Sequence, residues 1–494
     1  MGNTQELKQV LARKQAILQG DAARIAKQHG AGKLTARERI AALLDQGSFV
    51  EMDALLSRGG DYAGVVTGSG TVQDRPVYVF AQDFTVHGGA MGQQQSEKIC
   101  KLLDLAMKTG APVVAMCDSA GVRVDEGARA MNAYAQIYAK LARMSGVCPI
   151  VALILGPVVG GAALIAQLAD VAIEAENIGE LMVYGPMVVS AMTGKTVDAK
   201  TLGGAKAMAE QGGVALTAAG EEAAIALAAK VLSFLPSCSI EEAELVDADD
   251  MNRLLPPVDP ADSDALLSGM ADNGDYVEFY PVWGRELRVA LVRIGGRSAG
   301  LVASNAAVAD GELTRDAAAK AARFIRFCDC FNLPVVSLIN SRGIQVPEAD
   351  EQARTMAAVA QLLCAYAEAT VPKVSVVVGN AIGQAFVAMG GRGNADMTYA
   401  WPGAVISALT PAAAVQVLYQ DEMKQASGDP LAVRQALEEK FACEVADGVA
   451  AASDGMVDDV IDPAQTRKYV IAALEMLADK MDGSAPRKHG NLPL

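Results

Sequence analysis

Lys98 to Gly121 reads KICKLLDLAMKTGAPVVAMCDSAG, and Lys320 to Gly343 reads KAARFIRFCDCFNLPVVSLINSRG. The offset is 222 residues throughout, pairing Lys98 with Lys320, Pro112 with Pro334 and Gly121 with Gly343. Upstream, Arg75 in QDRPVYVFAQD and Arg297 in GGRSAGLVASN keep it. Downstream the offset becomes 223, with PIVALILGPVVGGA (149–162) opposite PKVSVVVGNAIGQA (372–385). One slipped residue over such a span is not what chance apolar similarity produces. The chain is two copies of one domain.

Each copy reads as an amphipathic helix, then a buried strand (PVVAMCD, PVVSLIN) ending in a turn with glycine. Another helix follows, then a strand (IVALILG, KVSVVVG) leading into a second glycine turn and an Ala-rich helix. Continuous apolar strands alternating with helices imply parallel α/β units covered on both faces. Ligands in such folds bind at the carboxyl ends of strands, where both turns lie. Residues 236–275, rich in Pro and acid (EEAELVDADD, LLPPVDPADSD), read as a linker between an N-terminal domain over 1–235 and a C-terminal domain over 276–494. Ahead of the first copy, ELKQVLARKQAIL has helical periodicity and Thr35-Ala36-Arg37-Glu38 forms a capping box.

With 51% hydrophobic and 20% charged residues, the 494-residue chain is not mainly disordered, and roughly two to four domains are expected. Forty-two Lys and Arg against 58 Asp and Glu give a net charge of −16, without the basic run that a nucleic-acid partner requires. An anionic ligand such as a coenzyme A ester needs only a few local cations and backbone N–H groups. Eight cysteines are scattered with no CxxC pair, and three histidines are too few for most His-based triads or metal sites. A reduced, cytoplasmic chain without a metal is expected.

No 7–15-residue apolar stretch near the N-terminus suggests a signal peptide. Residues 144–169 carry no formal charge and are long enough to span a bilayer. Pro149, Gly156-Pro157 and Gly160-Gly161 cut that run, which reads instead as a buried strand, a turn and a helix.

In GPVVGGA (156–162), paired glycines follow a strand and open a helix. Without Cβ atoms a ligand can approach the backbone, and N–H groups at the helix start are available to an oxyanion such as a thioester enolate. The alternative is a close helix–strand contact that needs glycine. Ser119 in DSAGVRVDEG has no His nearby in sequence and no GxSxG setting, so this segment reads as a ligand-positioning loop. Asp125 and Glu126 read as solvated charges, and His87 before GGAMG (88–92) as a turn residue.

Together these segments resemble the carboxyltransferase subunits of biotin-dependent acyl-CoA carboxylases and decarboxylases, the propionyl-CoA carboxylase β and methylmalonyl-CoA decarboxylase α family. The resemblance runs through GKLTARERIAALLDQGSFVE (32–51), YVFAQDFTVHGGAMG (78–92), GAPVVAMCDSAGVRVDEG (110–127) and GPVVGGA. It continues through TLGGAK (201–206), ARFIRFCDCFNLPVV (322–336), AYAEATVPKVSVV (365–377) and TYAWPGAVI (398–406), and RKHGNLPL (487–494) is expected to close a complete chain.

The resemblance implies two crotonase-like (ββα superhelix) domains and a homo-oligomer, hexamer or dimer, with an active site shared between protomers. It places the acyl-CoA thioester at Gly160, Gly161 and Ala162, beside Ser119, Ala120, Gly121, Tyr184, Gly185, Pro186 and Val387. Biotin, on a separate carrier protein, would use Gly383, Gln384 and Ala385 with the loop Arg342, Gly343 and Ile344. No biotin-accepting AMKM and no ATP-binding carboxylase domain is recognisable. Biotin carboxylase or membrane decarboxylase subunits are therefore the implied partners, any membrane association being peripheral.

The implied reaction moves a carboxyl group between a malonyl-type CoA ester, methylmalonyl-CoA favoured, and biotin. Alternatives are the biosynthetic direction, as a propionyl- or acetyl-CoA carboxylase β subunit, or a non-catalytic subunit with an impaired biotin site. A biotin-independent crotonase-type hydratase or hydrolase would need placed carboxylates, with Glu126 and Glu180 as candidates. The departures from the family lie in the second copy. NSRGIQVPEAD (340–350) stands where relatives carry a DVPGF-like loop, and NAIGQAF (380–386) where they carry KAYGGAY. Gln384 thus replaces a glycine, keeping its N–H but adding a side chain.

Overall fold

The structure is a computed structural model that describes residues 2–57, 62–246, 249–345, 354–425, 429–483 and 490. Residues 346–350 of the altered loop, and all of 487–494 except Gly490, lie outside them. The chain divides into two units, Met1–Glu241 and Glu242–Leu494.

In the first unit the strands are β1 (Val50–Met52), β2 (Val65–Val72), β3 (Arg75–Gln82), β4 (Val113–Ser119), β5 (Ile150–Val159), β6 (Val171–Ala175), β7 (Glu180–Met182) and β8 (Leu216–Ala218). They form one sheet in the order β1-β2-β3-β4-β5-β6-β8, with β7 paired to the far end of β5. The second unit repeats this with β9 (Tyr276–Phe279), β10 (Leu287–Ile294), β11 (Arg297–Ser304), β12 (Val335–Ser341), β13 (Lys373–Ile382), β14 (Met397–Ala400), β15 (Val405–Ser407) and β16 (Asp459–Val460). Its order is β9-β10-β11-β12-β13-β14-β16, with β15 on β13. These are the two copies of one domain that the repeat implied, with the crotonase-like fold that the family resemblance implied.

In both units the first three strands are antiparallel and the rest parallel. Every residue of β4 and β6 is buried, as continuous apolar strands covered on both faces must be. Helix Gln93–Thr109 lays Ile99, Leu102, Leu103 and Ala106 into the first core, and helix Ala128–Met144 adds Ile137 and Leu141. Each such Leu or Ile contributes about 1.5–3 kcal/mol. The uncharged stretch 144–169 is strand β5, a turn and helix Gly161–Gln167. Among the described residues no helix is long and apolar enough to cross a membrane.

Both units share one irregularity between their central strands, and the one-residue slip lies before it, between β4 and β5 and their counterparts. Cys117 pairs with Ile154, but Ser119 pairs with Val158, so β5 holds two more residues than β4 across the break. Ile339 pairs with Val377 and Ser341 with Ala381 in the same way. Cys117 and Ile339 keep the 222 offset, while Ile154 and Val377 keep 223.

Residues 236–275 divide between the units instead of forming one linker. From Glu242 onward they belong to the second unit, and helix Ser263–Met270 sends Leu266, Leu267 and Met270 into its core beside Leu255. Asp262 caps this helix as Thr35 caps Ala36–Leu43, where Ile40 and Leu43 are buried at the same helical positions as Leu267 and Met270. The acidic, Pro-rich stretch is thus the second copy of the segment that precedes the first sheet. Its polar composition reflects caps and turns, and Leu255, Leu266, Leu267, Met270 and Ala271 anchor it in the core.

Lys98 and Lys320, the first residues of the repeat, are both about 1% exposed. Lys98 Nζ donates to Val65 O at 2.6 Å, and Lys320 Nζ to Trp283 O at 2.8 Å and Tyr280 O at 3.3 Å. Burial pulls both ammonium groups down to about 8 from 10.5. Between those values the unfolded chain holds protons that the folded chain has released, so these lysines make stability rise with pH from 8 to 10.5. Lys98→Met with Lys320→Met is expected to flatten the rise of the urea midpoint across that window; an unchanged slope would contradict it.

Candidate functional site

At the carboxyl end of β4 the chain enters the turn Ser119-Ala120-Gly121. Ser119 Oγ donates to Gly89 O at 2.8 Å and accepts from Gly121 N–H at 3.1 Å, while Ala120 N–H donates to Gly88 O at 2.9 Å. The Ser119 hydroxyl is fully buried, so it shapes the turn and attacks nothing. Gly121 has φ 111°, closed to a side chain, and a Cβ there would stand 3.2 Å from Val159 O. This contact sets the first turn directly beside the second.

In the second turn the left-handed φ of 65° falls on Gly160, whose N–H donates to Met182 O at 3.0 Å. Gly161 and Ala162 then open helix Gly161–Gln167, and first-turn N–H groups have no acceptor within their own helix. A Cβ at Gly160 would lie 3.8 Å from Val183 O, and one at Gly185 3.9 Å from Val159 Cγ1. Tyr184, Gly185 and Pro186 therefore border the same turn. Among the residues singled out from the sequence, Gly121, Gly160 and Gly185 thus meet around Val159 and Val183.

The second unit builds the same pair of turns. Ser341 Oγ accepts from Gly343 N–H at 3.3 Å, Gly343 has φ 134°, and Arg342 N–H donates to Asp310 O at 3.2 Å. Leu313 and Ile344 form the bridge that Met91 and Val122 form in the first unit. Gly383 carries the left-handed φ, 59°, so Gln384 needs no unusual backbone, and its side chain is exposed. The extra bulk of Gln384 therefore leaves the turn's backbone intact. Arg342 stands where the first unit has Ala120, and Asp310 where it has Gly88; the two new side chains pair at 2.7 Å. Val387 follows Gln384 by three residues on the second-unit helix Gly383–Ala388, half-exposed, as Leu164 follows Gly161.

Sequence reading missed the charges behind the first turn. Asp118, fully buried, accepts from Lys33 Nζ at 2.8 Å, from Arg39 Nη1 at 2.9 Å and from Gln28 Nε2 at 3.2 Å. Arg39 also pairs with Glu221 and donates to Leu155 O at 2.7 Å. Lys33 lies 4.1 Å from the centre of the Phe84 ring, and desolvation outweighs Asp118 in lowering its pKa. The signal was the run GKLTARER next to the capping box, whose cations fall on a buried face. Beside this cluster is a cavity of about 410 Å³ lined by Arg24, Lys27, Lys33, Phe84, His87 and Gly88, a cationic hollow in a chain of net charge −16.

The carboxylates considered for acid–base work are otherwise placed. Glu126 accepts from Gln93 N–H at 2.8 Å at the start of a helix, and Asp125 pairs with Arg123. Burial raises Glu180, which stands at the start of β7. Among the described residues no group of three or more His, Cys, Asp or Glu is arranged to hold a metal ion.

The fold and the site together define a duplicated crotonase-like protein in which each unit repeats one glycine turn at a helix start. The carboxyl transferase domain family matches residues 27–492. The chain is 39% identical over 519 residues to the methylmalonyl-CoA decarboxylase subunit alpha of Veillonella parvula, covering 100% of both. It is 39% identical over 513 residues to the propionyl-CoA carboxylase beta chain of Saccharopolyspora erythraea, covering 97% of this chain and 94% of that one. Among solved structures, the transcarboxylase 12S hexamer with hydrolysed methylmalonyl-coenzyme A bound superposes with a TM-score of 0.94 at 36% identity, over 99% and 98% of the two chains. The chain belongs to the carboxyl transferase family.

Two outcomes follow from the buried charges. Asp118→Asn strands Lys33, while Arg39 keeps Glu221, and is expected to cost about 3–5 kcal/mol in urea denaturation; adding Lys33→Met should recover part of that, since it removes the charge left without its partner. Glu174 on β6 has two buried oxygens without a hydrogen-bond partner, and burial pushes it up to about 8. The folded state thus holds a proton that the unfolded state loses above 4.5, so this group's stabilisation falls as pH rises from 4.5 to 8. Glu174→Gln is expected to raise the urea midpoint at pH 8 more than at pH 5; equal shifts would count against it.

Proposed function

We propose that this chain is the carboxyltransferase subunit of a biotin-dependent acyl-CoA decarboxylase or carboxylase, with methylmalonyl-CoA as the favoured ester. Its activity is that of the family, carboxyl transfer between an acyl-CoA and biotin. The observation that carries the reading is the repetition of one glycine turn, with two N–H donors, in both units. The first unit takes the acyl-CoA and the second takes biotin.

When the carboxyl group leaves the α-carbon, its bonding electron pair remains there and delocalises onto the thioester oxygen. Gly161 and Ala162 donate N–H bonds to that oxygen, stabilising charge where it develops without a titrating side chain. Ser119, Ala120 and Gly121 form the facing wall, and Tyr184 to Pro186 the rim. The cationic hollow around Arg24 and Lys27 receives the coenzyme A phosphates. Biotin supplies the nitrogen that accepts or returns the carboxyl group. Gln384 and Ala385 offer it the same backbone donors, a fit that the exposed Gln384 side chain does not obstruct. Arg342, Gly343 and Ile344 line that side, and Val387 is exposed on the helix that Gly383 and Gln384 open.

The same geometry serves the biosynthetic direction, because backbone N–H donors do not titrate and bind either carboxyl acceptor without transferring a proton. Biotin arrives on a carrier protein, and the chain works as a homo-oligomer. Exposed apolar residues on helix Pro186–Thr193, with Met187 86% and Met192 73% exposed, support a partner copy there.

Purified chain with methylmalonyl-CoA and biotin, free or carrier-bound, is expected to form carboxybiotin and propionyl-CoA. No transfer from any malonyl-type ester would overturn the reading. Arg24→Glu with Lys27→Glu should raise KM for the ester about tenfold with kcat little changed, as expected for loss of uniform binding.

A further inference from the structure

The two turns in the first unit are held from behind by a pair of tyrosines. Tyr134 and Tyr138 are four residues apart on helix Ala128–Met144, so they share one face, and their rings stack at 5.8 Å between centres. Tyr134 Oη donates to Gly121 O at 3.0 Å, and Tyr138 Oη donates to Gly161 O at 2.8 Å. Each hydroxyl thus holds the carbonyl of one turn. A Cβ on Gly161 would stand 2.7 Å from Tyr138 Oη and 2.8 Å from a Tyr134 ring carbon. Gly161 has an ordinary helical setting, so its lack of a side chain answers this steric limit and no backbone demand.

The second unit supplies the internal control. Its counterpart helix, Thr355–Glu368, has a single tyrosine, Tyr366, near its far end. That hydroxyl bonds Ser337 Oγ at 2.7 Å, deep in the core. At the position equivalent to Gly161 stands Gln384. Where the tyrosine pair is missing, the glycine requirement is missing too.

We propose that Tyr134 and Tyr138 are positioning residues of the thioester-side hole, fixing the Gly161–Ala162 peptide and the Gly121 turn and making glycine obligatory at 161. The peptide that Tyr138 anchors is the one that ends in the Ala162 N–H. Rotation of that plane turns the donor away from the oxygen on which charge develops, so the anchor acts on the transition state more than on ground-state binding. Both hydroxyls stay protonated, since burial raises their pKa values, and the anchor does not titrate through the physiological range. The inference rests on the reading of Gly161 and Ala162 as thioester-side donors.

The test measures carboxyl transfer from methylmalonyl-CoA, with kcat and KM separated, in the full-length chain. Tyr138→Phe keeps the ring and removes one hydrogen bond; kcat is expected to fall about tenfold with KM changed less than twofold and an unchanged pH profile. Tyr134→Phe should behave alike, and the double variant should lose more than either. A rise in KM at constant kcat, or no effect of either hydroxyl, would overturn the positioning role. Gly161→Ala should lose at least 100-fold in kcat and lower the melting temperature. Placed in Tyr134→Val, Tyr138→Leu, it should leave the melting temperature of that background unchanged, whereas Gln384→Ala should melt as the parent does.

If Gly161→Ala is tolerated with both tyrosines present, the steric part is wrong. If the parent chain transfers no carboxyl group at all, the functional reading fails instead, and the melting series still decides the tyrosine–glycine constraint.

Discussion

Both units depend on how one polar side chain fills the break between their two central strands. Past Cys117 and Ile339, the neighbouring strands β5 and β13 each carry two additional residues, which opens the ladder at the carboxyl end of the sheet. Asp118 and Asn340 occupy these openings, over Gly156 and Gly379, where a Cβ would collide with the carboxylate or the amide. Asn340 Oδ1 accepts from Asn380 N–H at 2.9 Å and its Nδ2 donates to Pro260 O at 2.9 Å. The break turns the chain out of the sheet in both units, and the ligand turns begin at the next residue.

The duplicated sites differ in how that plug is neutralised. In the first unit a carboxylate needs two cations, and Lys33 and Arg39 come from the segment ahead of the sheet. In the second unit an amide needs none, and Leu266 is buried where Arg39 would be. Removing one charge alone would leave its partner uncompensated in the interior, whereas removing acid and base together costs little. The differences between the copies are therefore concerted. The same holds at the rim, where Gly88 and Ala120 become Asp310 and Arg342, and behind the hole, where Gly161 with two tyrosines becomes Gln384 without them.

These couplings bear on how substitutions near the chemistry should be read. Gln384 stands where the first unit has Gly161, yet the left-handed conformation belongs to the preceding Gly383. The donor N–H groups survive because the backbone at 384 is an ordinary helix start. Conversely, Gly161 is indispensable for a reason outside its own turn. A residue's freedom here is set by what its neighbouring helix buries against it.

The duplication, the parallel α/β class and the two glycine turns were legible in the chain itself, because a constant offset and continuous apolar strands survive in one dimension. The glycine turn in GPVVGGA stood out on local grounds, but a close helix–strand contact accounts for paired glycines as well, and only the family resemblance pointed to Gly160, Gly161 and Ala162 as a ligand site. The second copy of the segment before the sheet was not legible. In 242–275 five buried apolar residues are diluted among prolines and acids, and only packing identifies them as core. Nor could spacing show that Lys33, Arg39, Asp118 and Glu221 meet, because they lie up to 188 positions apart and each looks like a surface charge alone. Local pattern determined the elements and their repetition. Tertiary structure decided which polar groups were desolvated together, because the cost of burying a charge depends on the partners that folding places beside it.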